Sequence, residues 1–206
     1  MVKVYAIEGV IPVVHPTAFV HPSAVLIGDV VIGPETYIGP NASLRGDLGE
    51  LRVGRGANLQ DCVVMHSFPK ACTVVEDWGH IGHGAVLHGC TIGRNALVGM
   101  NAVVMDGAEV GDSALVGACA FVKAGFRLPA RMVAAGAPAK IVRELSDDEI
   151  RWKERGTREY HTITRRARAS MVAVEALTEI EPDRPSLQVE AHYPLHETRQ
   201  RQAAGE

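Results

Sequence analysis

Aromatic side chains are scarce in this chain: Phe, Trp and Tyr make up only 5% of 206 residues. A core built on large rings is excluded, and a narrow one filled by thin aliphatic strands and small corners is favoured. Cysteine is also rare, with Cys62, Cys72, Cys90 and Cys119 showing no C-x-x-C spacing. That excludes a four-cysteine metal site. Cys62, Cys90 and Cys119 read instead as reduced packing residues of a cytoplasmic protein. Neither sign of charge dominates: 21 basic and 24 acidic side chains leave a formal net charge of −3. There is no basic surface for nucleic acid or an anionic membrane. No apolar run is long enough to cross a bilayer, and the N-terminus lacks a secretory signal pattern.

What the chain does have is a beat of six. Ile92, Val98, Val104, Val110, Val116 and Val122 fall at every sixth position. Two places before each stands a small side chain: Cys90, Ala96, Ala102, Ala108, Ala114 and Ala120. The first half keeps the same beat at Val20, Leu26, Ile32, Ile38 and Leu44, then at Val53, Leu59 and Met65. Neither helix periodicity nor strand alternation describes this stretch as well. Such short repeats predict a parallel β-helix, whose stacked coils bury one continuous core. The aliphatic residue fills the interior and the small one suits a tight corner. The pattern resembles the hexapeptide-repeat superfamily. That resemblance implies a mainly β fold: a left-handed parallel β-helix with three six-residue sides per coil, followed by C-terminal α-helices.

Phase places the histidines. Nine residues separate Leu44 from Val53, so three are inserted near Asp47–Glu50. Ten separate Met65 from Val75, so four are inserted within Ser67–Thr73. With the inserts discounted, Leu44, Met65 and Leu87 are three repeats apart, and the next residues are Arg45, His66 and His88. Three repeats to a coil stack these on one edge. His83 follows Ile81 by two places and belongs to another phase, one side earlier. Within one chain it does not reach the His66–His88 pair. A neighbouring copy can supply it, because cyclic homo-oligomers make heterologous contacts. A lone histidine in a repeat is usually a turn or core group, but three in converging phases favour metal binding. Three neutral imidazoles with one open position are the ligands of a catalytic zinc site, and iron and cobalt accept the same donors.

Arg45-Gly46-Asp47, Asn58-Leu59-Gln60-Asp61, His66 and the run from His80 to Cys90 resemble the γ-class carbonic anhydrases. The resemblance covers roughly residues 10–145. It implies a homotrimer with a zinc or iron ion at each subunit interface. It also implies that His66, His83 and His88 are the metal ligands and that Gln60 orients the metal's water. Arg45 and Asp61 match an inter-subunit ion pair, and Asp47 and Asn58 lie in the supporting shell. Tyr160 joins the catalytic candidates because related chains carry a tyrosine near the site, although packing is its simpler role. A closer resemblance is to proteins of phenylacetate and carnitine catabolism, through the runs from Ile11 to Pro16, Asn95 to Asn101 and Ile141 to Ser146. His66-Ser67-Phe68-Pro69 and the run from Trp152 to Tyr160 favour the phenylacetate branch.

An ion held by neutral imidazoles keeps its charge and lowers the pKa of a bound water to about 7. The resulting hydroxide can attack carbon dioxide or the carbonyl of an acyl-CoA thioester, and the ion steadies the oxyanion. Rapid carbon dioxide hydration also needs a proton path. Where the γ-class resemblance calls for carboxylates, this chain has Leu48 and Pro69. The expected activity is therefore that of a metal-dependent thioesterase. Two other classes compete: a metal-free acyltransferase and a non-catalytic trimeric scaffold.

The expected organisation is a β-helix over 1–140, a helical appendage over 141–178 and an extended or disordered tail over 179–206. Ser146 to Glu149 forms a capping box that opens a short helix. Gly156 is expected to end that helix, and Thr157 to cap a second one reaching about Ala176. The stripe Ile163, Met171, Val174 and Leu177 is expected to pack on the ladder or on a neighbouring subunit. His15 and His21 precede prolines and read as turn residues. His80 reads as a loop or supporting residue, and His161, His192 and His196 as solvated.

Overall fold

The inside of a β-helix corner has room for little more than a methyl group, and the repeat meets this with alanine. In the computed structural model, which describes residues 2–204, the repeats close into a left-handed parallel β-helix of about seven turns. It has three faces. Leu26, Leu44, Met65, Leu87, Val104 and Val122 lie in register on the first. Ile32, Val53, Val75, Ile92, Val110 and Leu128 do so on the second. Val20, Ile38, Leu59, Ile81, Val98 and Val116 form the third. All three columns are buried. Each fully buried aliphatic side chain contributes about 1.5–3 kcal/mol.

Alanines such as Ala96, Ala102, Ala114 and Ala120 are buried in the corners. The residue before each takes a left-handed backbone: Asn95, Asn101, Ser113 and Cys119. Cys62 has the same conformation, and both it and Cys119 are exposed. They are corner residues, which corrects the expectation of packing residues. Cys90 is buried, and burial pushes its thiol up to about 12.

The first insertion lengthens the strand Ser43–Val53. The second makes the loop between strands Val64–His66 and Thr73–Val75. Thr73 Oγ1 ties the root of that loop, donating to the His66 carbonyl at 2.5 Å and accepting from the Gly89 amide at 2.8 Å. A third irregularity escapes the simple beat: five residues, not six, separate Leu87 from Ile92.

After the last coil, Met132–Ala135 pairs antiparallel with Lys140–Glu144 and turns the chain back. Helix α1, Asp147–Ser170, then runs along the outside of the third face. The capping box forms as expected, with the Glu149 amide on Ser146 Oγ (3.3 Å) and the Ser146 amide on Glu149 Oε2 (2.9 Å). The Glu149 carboxylate also takes both arms of Arg143 at 2.8 Å. Chiefly through Arg143, and against the effect of burial, its pKa is held down to about 2.

Several expectations fail here. α1 continues through Gly156 as one helix and ends at Ser170, short of the expected Ala176; contacts on either side of Gly156 outweigh the roughly 1 kcal/mol that a mid-helix glycine costs. And Ile163, Met171, Val174 and Leu177 are exposed, while the buried side of α1 is polar: Glu149, Lys153, Thr157 and Thr164. The reason is the surface beneath, which offers hydrogen-bonding groups. Lys153 Nζ donates to the Trp78 carbonyl at 2.8 Å and to Asn95 Oδ1 at 2.7 Å. Burial pulls the Lys153 pKa down to about 7. A second helix, α2, spans Leu195–Ala204, which corrects the expectation of an extended or disordered tail there: the stretch has a run of helix-favouring residues from Leu195 to Ala204. Met1, Gly205 and Glu206, at the ends of the expected segments, lie outside the described residues. Among the described residues no helix is long and apolar enough to cross a membrane.

Candidate functional site

Parallel pairing brings His66 and His88 side by side, Leu87 on Met65 and His88 on His66. Their rings meet through His66 Nδ1 and His88 Nε2, 3.1 Å apart. The far nitrogen of each ring is held by a carboxylate: His66 Nε2 by Asp47 Oδ1 at 2.9 Å, His88 Nδ1 by Asp106 Oδ1 at 2.6 Å. An ionised carboxylate only accepts hydrogen bonds, so both far nitrogens carry the protons. The two near nitrogens, 3.1 Å apart, are then placed either to share one proton in a hydrogen bond or to meet one cation between them. Two imidazoles on one tetrahedral zinc ion place their nitrogens about 3.3 Å apart, given bonds of about 2.0–2.1 Å. The donor set therefore fits such an ion, and the carboxylate behind each ring is the usual support of a metal-binding histidine.

Asp47 is itself fixed by Arg45, whose Nη1 donates to Oδ2 at 2.6 Å. Burial tends to raise the Asp47 pKa, but hydrogen bonds from Arg45 and His66 outweigh it and keep the carboxyl below its ordinary range. Sequence reasoning missed Asp106. Asp106 stands eighteen residues after His88, one place past the register position on the next coil, because that coil is a residue short. Gly89 makes room for it: the backbone there is left-handed (φ +58°), and a Cβ would lie 2.4 Å from Asp106 Oδ1.

His83 shows the same arrangement on another edge. Its Nδ1 meets Asp61 Oδ2 at 2.7 Å, and the ring is about half exposed with Nε2 left over. Within the chain it does not join the pair. Among the described residues no three His, Cys, Asp or Glu side chains form a metal-holding group. Arg45 and Asp61, expected to pair across subunits, bond within the chain to Asp47 and His83 respectively.

Gln60 is buried on the third face. Its Nε2 donates to Asn58 Oδ1 at 3.0 Å and to His80 Nε2 at 2.8 Å. Both amide hydrogens are thus spent, and Oε1 is what remains to orient a ligand. His80 can accept because it is neutral: burial, with the nearby Lys153 and His83 charges, takes its pKa down to about 3. Asn58 is a buried brace for Gln60. Tyr160 packs between Tyr37 (ring centroids 5.3 Å apart) and His80 (5.5 Å). Its hydroxyl pKa is raised, first by burial and then by neighbouring Tyr37, Asp61 and Glu159.

Two histidines expected to be solvated are not. His161 Nε2 bonds the Gly56 carbonyl at 2.8 Å, with its ring edge-on to Trp78. His192 Nδ1 meets Glu159 Oε1 at 2.6 Å, and its Nε2 is buried without a partner. Leu48, Phe68 and Met100 are more than half or about half exposed. Leu48 follows Asp47, Phe68 lies edge-on to His88 at 5.3 Å, and Met100 lines a cavity with His83.

Coil geometry and repeats together define the class: the chain belongs to the hexapeptide-repeat transferase family. The bacterial transferase hexapeptide (six repeats) family matches residues 11–46 and 89–124. More particularly, the chain is similar to the carnitine operon protein CaiE. It is 58% identical over 184 residues to CaiE of Escherichia coli strain SMS-3-5, covering 89% of this chain and 94% of the relative. CaiE of Proteus sp. strain LE138 is 57% identical over 185 residues, with 90% and 94% covered. Among solved structures, a Bacillus cereus protein named as an acetyltransferase aligns with a TM-score of 0.80 and 32% identity, over 82% of this chain and 98% of the other. A hexapeptide transferase family protein of Anaplasma phagocytophilum gives 0.76 and 36%, over 79% and 96%. These findings favour the carnitine branch over the phenylacetate branch to which the His66–Pro69 and Trp152–Tyr160 runs had pointed.

Proposed function

We propose that this protein is an enzyme of the CaiE type, in carnitine metabolism, that cleaves acyl thioesters of coenzyme A at a site shared between subunits of a trimer. Hexapeptide-repeat proteins are typically trimeric. The carrying observation is the His66–His88 pair at 3.1 Å, each ring backed by an aspartate. His83, backed by Asp61 and facing outward, is the third ligand for the neighbouring subunit's pair. Half-exposed Leu48, Phe68 and Met100 beside these groups suit burial against a neighbour.

Zinc, iron or cobalt held by His66, His88 and a neighbour's His83 would supply Lewis acidity and make water acidic enough to act near neutral pH. The chain's own residues do the rest. Asp47, Asp106 and Asp61 fix the proton on the far nitrogen of each ring, so the near nitrogen stays a donor of electrons. Gln60, with its amide nitrogen spent on Asn58 and His80, presents Oε1 to accept a hydrogen bond from water and so aim the water's lone pair. Leu48 and Pro69 provide no proton exit, which suits a thioester better than rapid carbon dioxide turnover.

The test uses protein purified without chelator. Metal content and thiol release from a panel of acyl-CoA thioesters are measured for the wild type and His83→Ala. One ion per chain and hydrolysis, both lost in the variant, are expected. A metal-free protein that hydrolyses, or binds no metal with its trimer intact, would refute the proposal. A second reading, metal-free acyl transfer, draws on the acetyltransferase name of the Bacillus cereus relative. It predicts acylation of an added amine that survives chelation.

A further inference from the structure

The outward side of the third face is a ladder in its own right. Phe19, Tyr37, Asn58, His80, Leu97 and Leu115 stand in register, one per coil. α1 covers the lower steps, with Tyr160 packed on Tyr37 and His80 and Thr157 beside His80. The next two steps are aliphatic. Over them lies a cavity of about 490 Å³, which Gln60 and His83 also line. Gln60 and Leu115 are three coils apart, about 14 Å at the usual strand spacing. The cavity therefore runs from the candidate site up the aliphatic steps.

Its far wall is the C-terminal tail. Trp152 Nε1 on α1 donates to the Tyr193 carbonyl at 2.9 Å, and Glu159 holds His192 at 2.6 Å. Both His192 and Tyr193 line the cavity. The charged groups around it are already engaged: Lys153 with Trp78 and Asn95, Glu159 with His192. Gly156 keeps the cavity open from the helix side. A Cβ there would be in ordinary contact, 3.5 Å from His192 Cε1, so anything longer than alanine must enter the space. His192 Nε2, in the wall, is buried without a partner.

We propose that this cavity binds the uncharged, apolar acyl group of the substrate, with the reacting carbonyl at the Gln60–His83 end and the His192–Pro194 segment as the closing wall. The inference rests on the acyl-thioester reading above but not on the metal. It names the specificity-determining residues as Leu97, Leu115 and Gly156.

The probes are non-hydrolysable CoA thioethers bearing ethyl, butyl and hexyl chains, titrated by calorimetry into metal-loaded and metal-stripped full-length trimer. Affinity is expected to rise about fourfold per methylene, as burial of a CH₂ predicts, in both preparations. Gly156→Leu is expected to abolish the gain from butyl to hexyl. Leu115→Phe narrows the cavity from the sheet side without touching the helix and is expected to do the same. Removing residues 189–206 is expected to weaken the hexyl analogue at least tenfold and leave the ethyl analogue unchanged. Equal affinity for the three chains, or a length dependence unaltered in both folded variants, would overturn the proposal. Loss of hydrolysis with length-dependent binding intact would instead count against the metal reading alone.

Discussion

At the scale of single residues, the chemistry depends on which ring nitrogen carries the proton. His66 and His88 could have been two stacked core imidazoles. The aspartates make them a donor pair, because each carboxylate claims one N–H and turns the other nitrogen inward. Asp106→Asn is therefore expected to loosen metal binding about 10–100-fold, read by competition with a chelator, with the trimer intact. Unchanged affinity would mean that Asp106 merely caps the coil. Phase made the placing of His66 beside His88, and of His83 on another edge, legible in the sequence. It did not reveal Asp106, which sits one coil above its partner with a Met105-Asp106-Gly107 neighbourhood that looks like any other corner. Nor did it reveal that Gln60 spends its amide nitrogen on His80, since that depends on burial and tautomer rather than spacing.

At the scale of elements, the β-helix follows from its repeat almost residue by residue, because its inward column is written directly in Ile, Leu and Val. α1 was harder to read. Amphipathic reasoning looks for an apolar stripe, and here the buried stripe is Glu149, Lys153, Thr157 and Thr164. These polar groups match carbonyls and side chains below, a complementarity that no single helix displays. The N-terminus of α1 was legible because a capping box is local. Ser146→Ala is expected to cost about 1 kcal/mol in urea unfolding, and no loss would contradict the cap. Lys153 gives a pH signature. Its folded pKa of about 7 lies below the ordinary 10.5. Between those values the unfolded chain holds a proton that the fold has released, so stability rises with pH across the window. Lys153→Met is expected to remove that rise. An identical slope in variant and wild type would show that the amine is not buried as described.

At the scale of the whole molecule, one chain carries two unlike edges: a histidine pair at His66–His88 and a single outward ring at His83. Closed cyclic symmetry is the simplest way to bring unlike edges together repeatedly. Light scattering is expected to report a trimer, and a monomer would leave His83 without a role. The tail also acts at this scale, since it closes a cavity built from coils more than seventy residues earlier in the chain. Its lack of periodicity hid this: His192 and Tyr193 matter through single contacts with Glu159 and Trp152.

The sharpest test of a site shared between subunits is metal content in mixed trimers. His66→Ala and His83→Ala are each expected to bind no ion alone. Co-expressed and co-purified, they place an intact His66–His88 edge against an intact His83 in every mixed ring, and one bound ion per mixed trimer is expected. Mixed trimers without metal, or full metal in His83→Ala alone, would contradict a site built from two chains.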